Sequence, residues 1–316
     1  MADTLVRAAP VQATGPRRRR TRPGRRSGPA YLLLLPAVGI LLLGLGYPVY
    51  WQVVTSLQEF GLAQQFGQPP EFIGLDNYAR IFSQEDLWSV VIRSLLFCMA
   101  NALLTVLIGL ALALLMRAVR PWVRIVLQSC LLLAWAMPMV AAVTVWRWLF
   151  DWRTGVINWL LVNLGFDGYA GHNWLAQQLS FFFVATVIIV WMSVPFVALS
   201  IYAGLTQVPD DVLEAARIDG AGAWHIFRHI LVPMVRPVIG IVLLLQIIWD
   251  LRVFAQIRLL QDSGAAPDTN LLGNFIFELG VGRQDFAGAA AASIVVLALT
   301  VLVSWPYVRS LMKELS

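Results

Sequence analysis

Lysine is nearly missing from this chain of 316 residues, where Lys313 stands alone. A Walker A loop, which cradles nucleotide phosphates, needs a lysine directly after its glycines. If ATP drives this protein, another chain binds it. Cysteine is almost as scarce: Cys98 and Cys130 each lie alone in an apolar run. That excludes a disulfide scaffold and reads as two small buried hydrophobes. Charged residues make up only 13% of the chain while 59% is hydrophobic, and mean hydropathy is +0.72. An ordinary soluble domain carries about 25% charged residues. A chain this poor in charge cannot cover itself with polar surface, so its solvent is a bilayer, and disordered or collagen-like classes fall with the same numbers. No nucleophile–base pair and no paired carboxylates occur, which argues against an enzyme.

What charge there is lies unevenly. Eight of the 23 basic residues, Arg7, Arg17–Arg20, Arg22, Arg25 and Arg26, fall in residues 1–30 against one acid, Asp3. The rest of the chain is close to neutral, so the net charge of +5 describes a tail and not a nucleic-acid-binding surface. A basic segment before an apolar one lies on anionic lipid and sets topology. Residues 1–30 are expected to be a cytoplasmic tail without fixed structure. The apolar stretch that follows is too long for a cleaved signal peptide and reads as a retained anchor.

A helix needs about 20 apolar residues to cross about 30 Å of hydrocarbon. Counting between charges predicts six spans, at 31–56, 94–116, 125–146, 179–206, 237–260 and 286–308. Arginine favours alternate connections: Arg117, Arg120 and Arg124 in one, Arg217, Arg228 and Arg236 in another. By the positive-inside rule those connections and both termini are cytoplasmic. Pro36, Gly44, Gly46, Pro48, Pro138 and Pro195 interrupt several spans, which in membranes points to neighbours that satisfy the freed backbone. The run from Gly288 to Ala292 lets another helix approach closely.

The connection at 207–236 carries the strongest signal. Pro209, Asp210 and Asp211 announce a helix start. Val212, Leu213, Ala216 and Ile218 then give a short amphipathic helix, and Gly220 and Gly222 end it. A second apolar-basic segment, 224–232, leads to Pro233 and Pro237. Such a short helix on two arms suits docking to a partner or lying on lipid.

Glu214-Ala215-Ala216, then Asp219-Gly220, then nine residues and Ile230-x-Val232-Pro233, resembles the EAA loop of binding-protein-dependent ABC importer permeases. Phe72-Ile-Gly-Leu-Asp-Asn-Tyr78 is similar to the first external loop of the sugar branch, the maltose and glycerol-phosphate type. The resemblance implies an all-α integral membrane protein, a six-transmembrane-helix permease of the type I, MetI-like fold, multi-pass in the bacterial plasma (inner) membrane. Residues 31–316 would form this domain. It implies a second homologous permease subunit, two ATP-binding subunits that hold ATP and Mg, and an extracellular solute-binding protein. This chain itself would bind no cofactor. Glu214, Ala215, Ala216, Asp219, Gly220, Ile230 and Pro233 would couple it to the ATPase.

Charges inside a span are candidate functional groups. Gln246 and Asp250 lie four apart on one helical face, and Trp249, Arg252 and Gln256 form a second polar-aromatic stripe. Aromatic rings beneath C–H faces and planar polar groups on hydroxyls suit a sugar, so all five are candidates for a substrate path. The reverse expectation, an ion pair between helices for Asp250 or Arg252, stays open, as does a secondary transporter driven by an ion gradient. Arg258 is expected to snorkel to an interface. Trp146, Trp148, Trp152 and Trp159 read as an interfacial belt, with a sugar path as the lesser alternative. His225 and His229 have zinc-like spacing but no third ligand nearby.

Overall fold

The computed structural model describes residues 27–262, 264 and 268–315. Most of the expected tail lies outside the described residues; the first helix begins at Ser27, inside the range assigned to the tail. The chain divides into two units, one ending at Tyr50 and one beginning at Trp51. α1 (Ser27–Leu41) runs through a π turn (Leu42–Gly46) into α2 (Tyr47–Ser56), and the boundary between the units falls within α2.

The second unit continues with β1 (Gln58–Glu59), α3 (Leu62–Gln65), β2 (Glu71–Phe72), α4 (Asp76–Phe82) and α5 (Glu85–Ala118). Then come α6 (Pro121–Trp135), α7 (Met139–Leu149), α8 (Val156–Asn163), α9 (Gln178–Leu205), α10 (Asp210–Ile218) and α11 (Ala223–Ile226). The chain finishes with α12 (Val232–Leu251), α13 (Ala255–Gln261), α14 (Leu272–Phe277) and α15 (Phe286–Leu315). β1 and β2 form one small antiparallel ladder. Among the described residues, 5 helices are long and apolar enough to cross a membrane, or 6 if the bent pair α6–α7 is one span.

Two expected spans are built differently. The third is not a continuous helix over 125–146. It breaks between α6 and α7, which meet at 100°. Pro138 supplies no N–H and caps α7 from an extended conformation, so the helix cannot run through it. The fifth begins earlier and ends earlier than 237–260. Helix runs from Ala223 to Leu251 through a π turn at Phe227–Leu231, and α13 is separate. Arg252 N–H donates to Trp249 and Val253 N–H to Asp250, tightening the last turn until the helix stops. Both π turns that precede a proline contain the residue four before it, Gly44 for Pro48 and His229 for Pro233. That carbonyl has no N–H to receive from the proline, and a widened turn absorbs the defect.

The bundle is organised on α5 and α9, whose contact is the most extensive. It needs a glycine: a Cβ at Gly109 would lie 2.6 Å from Val197 Cγ1 and 3.2 Å from the Ala198 nitrogen. The alanines at the start of α15 are buried as expected, and a Cβ at Gly280 would meet Ala289 at 3.1 Å. Cys98 is buried, but Cys130 is exposed, against expectation, because α6 presents that face outward.

The Phe72–Tyr78 segment has a structural use. Asn77 donates to the carbonyls of Ser56 (2.9 Å) and Gln58 (2.8 Å), and its own oxygen accepts from Arg80 at 2.7 Å. Arg80 pairs with Asp285 at 3.3 Å. Asp285 in turn accepts the Gly288 N–H at 2.8 Å, satisfying a free donor of α15. The segment thus clasps the end of α2 to the start of α15.

Candidate functional site

α10 is set on the bundle by one buried side chain. Leu213, 4% exposed, packs with Met116 of α5, Leu205 of α9 and Leu231. Its neighbours do not share that face: Val212 is exposed, Ile218 is 86% exposed and Ala216 is half-buried. The apolar face read from the sequence is therefore split, and most of it stays open. Asp210 and Asp211 at the first turn and Arg217 at the last suit the helix dipole.

The end of α10 is a complete Schellman motif. Ala221 N–H donates to the Ala216 carbonyl at 2.9 Å and Gly220 N–H to the Arg217 carbonyl at 3.1 Å. Gly220 takes φ +81°, and nothing lies within 4 Å of where its Cβ would be. Backbone conformation alone thus demands glycine there. Gly222 does not end the helix; it precedes α11 as its N-cap residue.

Of the expected coupling residues, Glu214, Ala215, Asp219, Gly220 and Pro233 are exposed and Ala216 and Ile230 are half-buried. Trp224, beyond the Gly220 turn, is also open at 69%. The His225 and His229 rings stack at 4.2 Å. Among the described residues no group of three His, Cys, Asp or Glu side chains is placed to hold a metal.

The span-five candidates separate. Trp249, Asp250 and Gln256 line one cavity of about 230 Å³ together with Trp135, Met192 and Ser193. Gln246 is fully buried and Arg252 is exposed, so neither lines it. The second stripe fails because α12 ends before Arg252, and Gln256 reaches the cavity from α13. Asp250 is 3% exposed, and its Oδ2 makes no hydrogen bond within the chain. Both polar atoms of Gln246 are likewise unpaired, as are Asn101 Oδ1 and Thr105 Oγ1 on α5. Unpaired buried polar groups are costly, and these four residues lie on α5 and α12, two helices in contact.

Trp135, Ser193, Asn101 and Thr105 were not read from the sequence. Asn101 and Thr105, four apart in an otherwise apolar span, are the signal that would have found the α5 face. Arg258 pairs with Asp262 at 3.3 Å and lies over the Phe277 ring at 5.3 Å, so it is held by protein contacts in place of a simple snorkel.

Residues 87–309 match the family of binding-protein-dependent transport system inner membrane components. The chain is 40% identical over 310 residues to the diacetylchitobiose uptake system permease protein DasB of Streptomyces coelicolor, covering 98% of this chain and 94% of that one. It is 31% identical over 282 residues to the trehalose/maltose transport system permease protein MalF of Thermococcus litoralis, covering 88% and 92%. In fold it is similar to a chain of a bacterial alginate ABC transporter solved in complex with an alginate pentasaccharide-bound periplasmic protein. There the TM-score is 0.75 at 22% identity, over 89% of this chain and 93% of that one.

Proposed function

The chain belongs to the binding-protein-dependent transport system inner membrane components, and from that premise we propose that it is the permease subunit of an ATP-driven importer of a sugar or sugar-like solute. Its relatives named for diacetylchitobiose and for trehalose and maltose support a disaccharide-sized solute. In this reading both termini and the 207–236 loop are cytoplasmic, as the arginine-rich connections favour. A second homologous permease subunit completes the membrane pore. Two ATP-binding subunits lie beneath it and hold the ATP and Mg, and an extracellular solute-binding protein delivers the solute.

The observation that carries the reading is α10. A nine-residue helix is anchored by Leu213, closed by a rigid glycine turn, and leaves Glu214, Ala215 and Asp219 open. A preformed helix loses little entropy on docking, so displacement of the ATPase is passed through Leu213 to the ends of α5 and α9. Trp249, Asp250 and Gln256 form the candidate solute subsite. The indole offers a face to sugar C–H groups, while the carboxyl and amide reach hydroxyls. Gln246 lies behind this subsite as support, and Arg252 is left as a candidate contact to the second subunit.

Co-purification tests the coupling half. Wild-type protein expressed with its ATP-binding partner should retain it, and Gly220→Arg should lose it while the permease still elutes as a folded species. Uptake by this chain alone, driven by a proton or sodium gradient, would reject the importer reading in favour of a secondary transporter. Asp250→Asn tests the subsite: uptake should fall with ATPase retention unchanged.

A further inference from the structure

The four tryptophans near the end of α7 do not behave as one belt. Trp146 turns inward and packs on Trp191 at 5.8 Å and on Phe150 at 6.2 Å. Trp148 and Trp152 instead wall a second cavity of about 630 Å³, with Arg147, Asp151, Asn173 and Asp262 around them. Trp152 also borders a neighbouring hollow of about 400 Å³, shared with Trp159 and Asn158. A belt tryptophan needs one polar partner at the headgroup level. Carboxylates, an amide and a guanidinium converging on the same rings have no such explanation.

The rim is preset. Asp151 Oδ1 accepts from the Arg153 N–H (2.9 Å), the Thr154 N–H (2.8 Å) and the Thr154 hydroxyl (3.0 Å). These bonds fix the turn that carries Trp152. The lining therefore offers flat apolar faces beside planar donors and acceptors, which is the chemistry a pyranose presents in reverse. The volume lies within the range of about 300–1,000 Å³ for small-molecule sites.

Its place in the bundle is equally specific. Gln256 lines the mid-bundle cavity and Asp262 lines this one. They are six positions apart along α13 and its C-terminal end, about 9 Å at helical rise. Asn173 and Leu175 of this cavity precede α9, whereas α10 follows it, roughly 40 Å away along the helix axis. The cavity thus sits at the end of the bundle remote from α10, next to the proposed solute subsite.

We propose that this cavity is a saccharide-binding site of its own, which holds the solute before it reaches Trp249 and Asp250. The inference rests on the sugar-importer reading above. The occupant is an uncharged oligosaccharide of two or three units, engaged by Trp148 and Trp152 through its C–H faces and by Asn173, Arg147 and Asp262 through its hydroxyls.

Photolabelling of the whole transporter, assembled with its partner subunits in nanodiscs, tests this. The probes are diazirine derivatives of maltose, trehalose and diacetylchitobiose, with adducts mapped by mass spectrometry. Adducts are expected on residues 144–154 and, separately, on 249–256. Trp148→Ala combined with Trp152→Ala should cut the first set about tenfold, while the second set and ATPase retention hold. Trp152→Phe should restore part of the first set, since a ring remains. Adducts confined to 249–256, or outer adducts indifferent to the double substitution, overturn the outer site and leave the importer reading standing. Crosslinking of residues 144–154 to the solute-binding protein with no sugar adduct there overturns it in favour of a protein dock. Absence of adducts at both places, with no uptake of any probe, defeats the sugar reading itself.

Discussion

The guanidinium of Arg117 donates from Nη1 to the carbonyl oxygen of Leu205 at 3.0 Å. The last turn of α5 is thereby tied to the last residue of α9, just ahead of the turn into α10. The same group lies 3.8 Å from Asp210 through Nη2, but Asp210 is 89% exposed, and pairs of that kind contribute little. The carbonyl bond is what counts: it satisfies a helix-end acceptor with a charged donor.

Arg117→Ala should therefore loosen the α9–α10 junction. A charge-assisted hydrogen bond of this type contributes about 1.5 kcal/mol, so amide exchange over residues 206–213 should speed up about tenfold. Asp210→Asn should change exchange there by less than about 0.5 kcal/mol. Equal effects of the two substitutions would assign the junction to the ion pair instead.

Gly220 sits at φ +81° in open space. Gly220→Ala should cost about 1–2 kcal/mol through backbone conformation alone, and Gly220→Asn, which tolerates that region, clearly less. Hydrogen exchange at the Ala221 amide reads the Schellman bond directly. A β-branched residue such as Val should be worst, since side-chain size meets no obstacle and only the backbone objects.

Gly109 presents the opposite case, a glycine required by contact. Its added Cβ would overlap Val197, so Gly109→Ala should destabilise the α5–α9 crossing by about 1–3 kcal/mol. The thermal aggregation midpoint of the purified protein should drop, and adding Val197→Ala should recover part of it. No recovery would mean that the Ala198 backbone, not the Val197 side chain, is the barrier.

The Asp151 carboxyl is held below its ordinary value of 3.8, first by the Thr154 backbone N–H against a smaller cost of burial, then by the Arg153 N–H, the Thr154 hydroxyl and the Arg153 charge. A depressed carboxyl stabilises the fold above its unfolded value and loses that contribution as pH falls through the folded one. The 151–154 turn should accordingly keep its amide protection, corrected for intrinsic rates, from pH 8 down to 4. It should lose protection only below 3.8. Asp151→Ala should abolish protection of the Arg153 and Thr154 amides across the whole range.

Much of this protein was legible along the chain. Apolar runs free of charge marked the long helices, because a bilayer selects segments by length and hydropathy alone. Pro209, Asp210 and Gly220 marked both ends of α10, because caps and left-handed turns are local chemistry. Trp249, Asp250 and Gln256 were visible as polar interruptions of an apolar stretch.

Other features belong to the folded chain only. Asn101 of α5 meets Thr186 of α9 across 85 residues of sequence, and no periodicity within either helix announces that meeting. Whether Leu213 or Ile218 anchors α10 depends on where Met116, Leu205 and Leu231 stand. Gln256 and Asp250 share a cavity because α12 stops at Leu251, and Asp262 and Trp152 share another because α13 packs against α7. Local sequence dictates which segments are helical and where they can end. Which of their faces come together is set by contacts between helices distant in sequence, and these exist only once the bundle has packed.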